Sequence, residues 1–140
     1  MIVLDTNVVS ELMRVAPAEF VVAWVDRQPA AEVYLPAITV AELLYGVARL
    51  PDGSRKADLA ERIEAMLNED FEHNVVPFDE TAAAHYADIV VRRERAGRPI
   101  GMADAQIAAT CRSHGAVLAT RNIDDFADTG VTIANPWIEH

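Results

Sequence analysis

Ile2-Val3-Leu4 is an apolar run without alternation, and an acid, Asp5, follows it at once. Such a run suits a strand buried on both faces, as in a parallel sheet covered by helices on either side. Thr6 or Asn7 can cap a helix that runs on through Val8-Val9-Ser10-Glu11-Leu12-Met13. Ligands of open parallel α/β sheets bind beyond the carboxyl ends of the strands, which puts Asp5 in the functional crevice. The competing role for Asp5 is a plain cap of the first helix. This stretch alone leaves both open.

The remaining chain alternates helix and strand. Pro17 opens a helical stretch with Phe20, Val21, Trp24 and Val25 on one face and Pro29 at its end. Val33-Tyr34-Leu35 is a short strand closed by Pro36, and Thr39 to Leu50 a helix, followed by the loop Pro51-Asp52-Gly53-Ser54. A third helical run keeps Leu59, Ile63, Met66 and Leu67 apolar. Asn74 to Phe78 is a strand weakened by Pro77. Asp79 caps a long helix from Glu80 to Ala96, with Gly97 at its end, Ala82, Tyr86, Ile89 and Val90 inward, and Arg92, Arg93, Glu94 and Arg95 outward. A last helix, from about Met102 to His114, ends at Gly115, and two strands follow at Ala116 to Thr120 and Val131 to Ala134. This order predicts an α/β fold with a largely parallel sheet of about five strands. No repeat, linker or low-complexity segment divides it, so residues 1–140 are expected to form a single domain.

Composition narrows the chemistry. One cysteine, Cys111, forms no internal disulfide and fits a reducing cytoplasm, where it serves as a small apolar residue. No signal peptide is expected, and no apolar stretch approaches the roughly 20 residues that span a membrane. Twelve Lys+Arg against 22 Asp+Glu give a net charge of −10, which argues against binding nucleic acid by bulk electrostatics. A nuclease remains possible where the acids are gathered around cations.

The isolated acids carry that possibility. Glu42 follows the second strand, although Thr39-x-x-Glu42 also matches a capping box. Asp104 begins a helix, where its charge suits the macrodipole, yet Met102, Ala103, Ala105, Ile107 and Ala108 around it are small or apolar. A carboxylate in that company is buried with a partner or lines a pocket. Thr120-Arg121-Asn122-Ile123-Asp124-Asp125-Phe126 follows a buried strand and would reach the same sheet edge as Asp5. Two carboxylates at about 4 Å repel by about 4 kcal/mol at an effective dielectric of about 20, so a cluster of them calls for a cation. Oxygen ligands favour Mg²⁺ or Mn²⁺, and His73, His85, His114 and His140 are too scattered for a zinc site.

Leu4-Asp5-Thr6-Asn7, Ile38-Thr39-Val40-Ala41-Glu42-Leu43 with Gly46, and Ala103-Asp104-Ala105-Gln106-Ile107-Ala108-Ala109 together resemble the PIN-domain ribonucleases. Leu118-Ala119-Thr120-Arg121-Asn122 with Asp125-Phe126, and the tail Asn135-Pro136-Trp137, resemble the VapC and FitB branch in particular. Each motif is short; four in register span essentially the whole chain.

The resemblance implies a PIN-like three-layer sandwich and a catalytic set of Asp5, Glu42, Asp104 and Asp125, the first three holding Mg²⁺, with Mn²⁺ as a substitute. Thr6 and Thr120 match the family's supporting hydroxyls and Asn7 a supporting amide. Where many relatives carry Asp two residues after the Thr, this chain has Asn122, which leaves two candidates for the fourth position: Asn122, a supporting residue that can hold metal-bound water through its amide, and Asp125, the better one to supply the missing charge. Arg49 and Arg93 are the cations assigned to the RNA backbone. The implied function is Mg²⁺-dependent RNA cleavage by the toxin of a type II toxin–antitoxin pair. The implied protein is cytoplasmic and homodimeric, held by a VapB/FitA-like antitoxin that inserts a cationic C-terminal segment. Two other classes stand beside it: a catalytically silent PIN-like binding module, and a receiver- or dehalogenase-like phosphoryl-transfer domain. The latter wants a Lys late in the chain, and none occurs after Lys56.

Overall fold

The structure, a computed structural model, describes residues 1–138; His140 lies outside them. Strands β1 (Ile2–Leu4), β2 (Val33–Pro36), β3 (Val75–Val76), β4 (Val117–Ala119) and β5 (Thr132–Ala134) form one sheet in the order β3-β2-β1-β4-β5. All four pairings are parallel, with Ile2 opposite both Val33 and Val117. Helices α1 (Thr6–Leu12), α2 (Glu19–Asp26), α3 (Ala37–Ala48), α4 (Ser54–Ala65), α5 (Glu80–Arg95) and α6 (Met102–His114) make the crossovers.

The unalternated strands are explained by the two cores. Leu4, Leu35 and Ala119 pack on one face with Val8, Val9, Val21, Trp24, Leu43, Val47 and Ile63 from the first four helices. Val3 and Leu118 point to the opposite face, against Ile89, Ile107, Ala108 and Cys111 of α5 and α6. Successive strand residues therefore enter different cores, and both must be apolar. Burial also pushes the Cys111 thiol up, as an apolar filler in a core requires.

Local signals set most helix ends. Asp79 Oδ1 accepts the Ala82 N–H at 2.9 Å, and Gly97 and Gly115 take positive φ just past α5 and α6. Two expectations fail here. Thr6 and Asn7 do not cap the first helix; Asp5 does, accepting the Thr6 N–H, so the capping role left open for it is real. The capping box at Thr39 does not form, because Pro36, extended at φ −66° and ψ 145°, lets α3 start at Ala37. Thr39 and Glu42 are thus interior helix positions, free to face another element.

A third expectation fails on α5. Arg93 is 4% exposed and faces inward, because it lies four residues after the buried Ile89 on the same helical stripe. Among the described residues, no helix is long and apolar enough to cross a membrane.

Chain order places the site. From the central β1 the chain builds outward through β2 and β3, then returns to build β4 and β5 on the other side. The order reverses between β1 and β4. Asp5 and Thr120, each one residue past those strands, meet at that reversal, where open α/β sheets take their ligands.

Candidate active site

Asp5 is buried and held by three donors. Its Oδ1 accepts the Thr6 N–H at 2.8 Å; its Oδ2 accepts the Thr120 hydroxyl at 2.8 Å and the Asn7 amide at 3.3 Å. Thr120 Oγ1 in turn accepts the Asn122 N–H at 3.0 Å, and Asn7 Oδ1 accepts the Arg121 N–H at 3.3 Å. The backbone is joined as well, the Asp5 N–H donating to Ala119 at 2.9 Å. The end of β1 and the end of β4 are therefore one fixed frame around a single carboxylate. Burial pushes Asp5 above the usual carboxylate range, opposed by its hydrogen bonds from Thr120 and Thr6 and reinforced by the charges of Glu42 and Asp125.

Glu42 comes from α3. The Thr6 hydroxyl donates to its Oε1 at 2.6 Å and lies 3.2 Å from the buried Thr39 hydroxyl. Thr39, which the capping pattern assigned to its own helix, braces α1 against α3 instead. Asp104 stands in the first turn of α6, behind an N-cap, Gly101, that has no side chain to offer. It is half-buried, and no described side chain or N–H donates to its carboxylate. Burial, then the charges of Asp5, Asp125 and Glu42, push it up to about 6, with Arg93 pulling weakly the other way.

A cleft of about 490 Å³ opens on these groups, lined by Asp5, Thr6, Asn7, Glu42, Asp104 and Asn122 together with Ser10, Glu11, Arg14, Arg121 and Trp137. Asp125 does not line it, yet its charge reaches both Asp5 and Asp104. Asn122 supplies wall and Asp125 supplies charge, so the two candidates for the fourth position do different things. Among the described residues, no three His, Cys, Asp or Glu side chains are gathered tightly enough for a finished metal cage. The donor chemistry still suits a hard cation: every acid offers oxygen alone, Asp104 has an unclaimed carboxylate, and each raised acid is raised partly by the others.

The two cations assigned to RNA are not brought to this cleft. Arg93 donates from Nε to the Arg98 carbonyl at 2.6 Å and from Nη1 to the carbonyls of Asp125 at 2.8 Å and Ala127 at 2.9 Å. It is a buried clamp on the loop that carries Asp125, and solvent-borne RNA has no route to it. Arg49 is exposed but stacks on Tyr45 at 5.6 Å, about two turns along α3 from Glu42. The cations on the cleft wall are Arg14 and Arg121. Arg121 sits inside a stretch already singled out by sequence, but nothing local marks it above its neighbours.

Residues 2–131 match the PIN domain. The chain is 47% identical over 137 residues to the toxin FitB of Neisseria gonorrhoeae, covering 98% of this chain and 99% of that one. It is 44% identical to the VapC ribonuclease Y4jK of Sinorhizobium fredii, covering 98% of each. The solved structure of FitAcB from Neisseria gonorrhoeae matches the fold with a TM-score of 0.93 at 46% identity, over 99% of this chain and 100% of that one. The chain belongs to the PIN-domain family, in the branch that holds VapC and FitB.

Proposed function

We propose that this chain is a Mg²⁺-dependent endoribonuclease, with Mn²⁺ as a substitute, and the toxin of a type II toxin–antitoxin pair acting in the cytoplasm. The observation that carries it is the convergence of Asp5, Glu42 and Asp104 on one cleft, where Asp5 and Asp104 are both raised by neighbouring negative charge. Relatives named as a ribonuclease and as a toxin support the substrate class and the biological setting. Family membership removes the phosphoryl-transfer alternative.

Asp5, Glu42 and Asp104 would hold the ion. When bound, it supplies a Lewis acid that lowers the pKa of water and offsets charge developing on the phosphate. The chain does the rest. Thr120, Asn7 and the Thr6 N–H fix the Asp5 carboxylate, and the Thr6 hydroxyl fixes Glu42. Asn122 on the wall can orient water through its amide, and Asp125 adds negative charge behind the site. A VapB/FitA-like antitoxin would insert a cationic C-terminal segment, because the cleft it meets is acidic and a guanidinium can fork onto two carboxylates.

The test is one cleavage assay on the purified chain with an RNA pool. Cleavage is expected with Mg²⁺, none with EDTA, and none once a cognate VapB/FitA-like antitoxin is added. RNA bound but uncut with Mg²⁺ would make the chain a silent binding module. Cleavage indifferent to the partner would remove the toxin–antitoxin part. The reading includes a homodimer, so light scattering should return twice the 15.3 kDa chain mass.

A further inference from the structure

We propose that Arg121, braced on Trp137, is a binding site for an RNA phosphate beside the carboxylates of the cleft. It rests on the ribonuclease function proposed for the same cleft and names the residue that holds the substrate there.

A chain of net charge −10 must meet a polyanion through cations fixed near its acids, since its surface as a whole repels RNA. Two guanidinium groups line the cleft, and they differ. Arg14 lies 3.4 Å from the buried Glu11 carboxylate, which also accepts the Ala18 N–H at 3.0 Å. Its charge is matched. Arg121 shares the cleft with Asp5, Glu11, Glu42 and Asp104, yet no described carboxylate lies within ion-pair distance of it. Its guanidinium sits 5.0 Å from the centre of the Trp137 ring instead.

That choice of partner has a consequence. A ring face holds a cation without neutralising it, and leaves the in-plane N–H donors for another ligand. Those donors match the two oxygens of a phosphate. Trp137 is a firm backing: its side chain packs against the core around Leu4, and its backbone N–H donates to Asn135 Oδ1 at 2.9 Å. The root of Arg121 is fixed too. Its own N–H donates to Asn7, and the N–H of its neighbour Asn122 donates to Thr120, the two side chains that hold Asp5. A phosphate on Arg121 would therefore be held in register with the Asp5 carboxylate. A cationic protein segment would pair with the carboxylates of the cleft and gain nothing from Arg121, so the ligand of Arg121 itself is the anionic RNA backbone.

The alternative is a clasp, with Arg121 serving only to tie the C-terminal tail to the end of β4. Steady-state cleavage of an RNA oligonucleotide by the full chain separates the two, comparing wild type, Arg121→Gln, Arg121→Lys and Trp137→Phe over a series of salt concentrations. Each variant is also melted. A phosphate site predicts that Arg121→Gln raises KM about tenfold, changes kcat by less than about threefold, and lowers the slope of log KM against log salt by about one phosphate's worth. Arg121→Lys should recover the slope but only part of KM, and Trp137→Phe, which keeps a smaller ring face, should raise KM by less than Arg121→Gln does. An unchanged KM and slope in Arg121→Gln overturns the proposal, whether or not the variant melts lower; a lower melt alone is the clasp. Arg121→Gln that loosens only the partner protein overturns it also. If the wild-type chain neither binds nor cuts RNA, the ribonuclease function itself fails, a result visible before any variant is made.

Discussion

Asp104→Asn is expected to lose Mg²⁺-dependent RNA cleavage by about three orders of magnitude and yet to melt about 3 °C above the wild-type chain in EDTA near neutral pH. Asp104 is raised to about 6 from 3.8, first by burial and then by Asp5, Asp125 and Glu42. A carboxyl whose folded pKa is raised holds its proton more tightly when folded. Its stabilising contribution is therefore present at low pH and lost as pH rises from about 4 through about 6. Two units correspond to about 3 kcal/mol at face value, and solvent at the exposed half of the group screens this to about 1.5 kcal/mol. Asparagine removes that penalty. It also forgoes a favourable charge at the start of α6, at most about 1 kcal/mol, so a net gain of roughly 1 kcal/mol remains.

Asp5→Asn should lose cleavage to the same degree with a smaller gain in stability, since Asp5 caps α1 and accepts three hydrogen bonds that its charge strengthens. Mg²⁺ at about 100 times Kd should stabilise the wild type by about 2.7 kcal/mol, and most of that response should vanish in Asp104→Asn. The measurement is a set of melts from about pH 5 to 8, in EDTA and in Mg²⁺ at matched ionic strength. A variant that melts lower in EDTA, beside a wild type indifferent to Mg²⁺, would leave Asp104 as an ordinary helix-start charge. Full activity in either variant would remove the metal-site assignment.

The parts of this fold that sequence discloses are those decided by neighbours in the chain. β1 and β4 are legible because residues facing two cores leave no polar alternation. The ends of α5 and α6 are legible because Asp79, Gly97 and Gly115 act within one turn. Thr39 shows the limit. Its spacing to Glu42 satisfies a local capping rule, but its hydroxyl meets Thr6, 33 residues earlier, and only the packing of α1 on α3 decides that. The cleft wall of Arg14, Arg121 and Trp137 is non-local in the same way. The acids are legible because an isolated carboxylate after an apolar strand is costly without a reason. Arg93 is different. Ala82, Tyr86, Ile89 and Arg93 follow one helical stripe, so its position points inward although its charge points to solvent.

That buried guanidinium carries the largest stability effect expected in the chain. Arg93→Met should destabilise the fold by about 3 kcal/mol, or about 10 °C in Tm. Three carbonyls, of Arg98, Asp125 and Ala127, accept from Arg93 at 2.6 to 2.9 Å in a region where Arg93 is 4% exposed. Methionine fills much of the volume and gives back none of these donors, leaving three acceptors short of a partner at about 1 to 3 kcal/mol each. The released cost of burying a cation offsets part of that sum, which is why the expected total stays near the bottom of the range. Lysine keeps the charge but not the fork, so Arg93→Lys should fall between the two. The charge also acts at a distance, since Arg93 lowers Asp104. Without it Asp104 is pushed further up, and combining Arg93→Met with Asp104→Asn should recover part of the loss instead of adding to it. Urea unfolding of wild type, Arg93→Met, Arg93→Lys, Asp104→Asn and the double variant in EDTA, with midpoints compared at equal m, measures these effects. An Arg93→Met midpoint within about 0.5 kcal/mol of wild type would mean that water satisfies those carbonyls and that the loop bearing Asp125 is not held by Arg93.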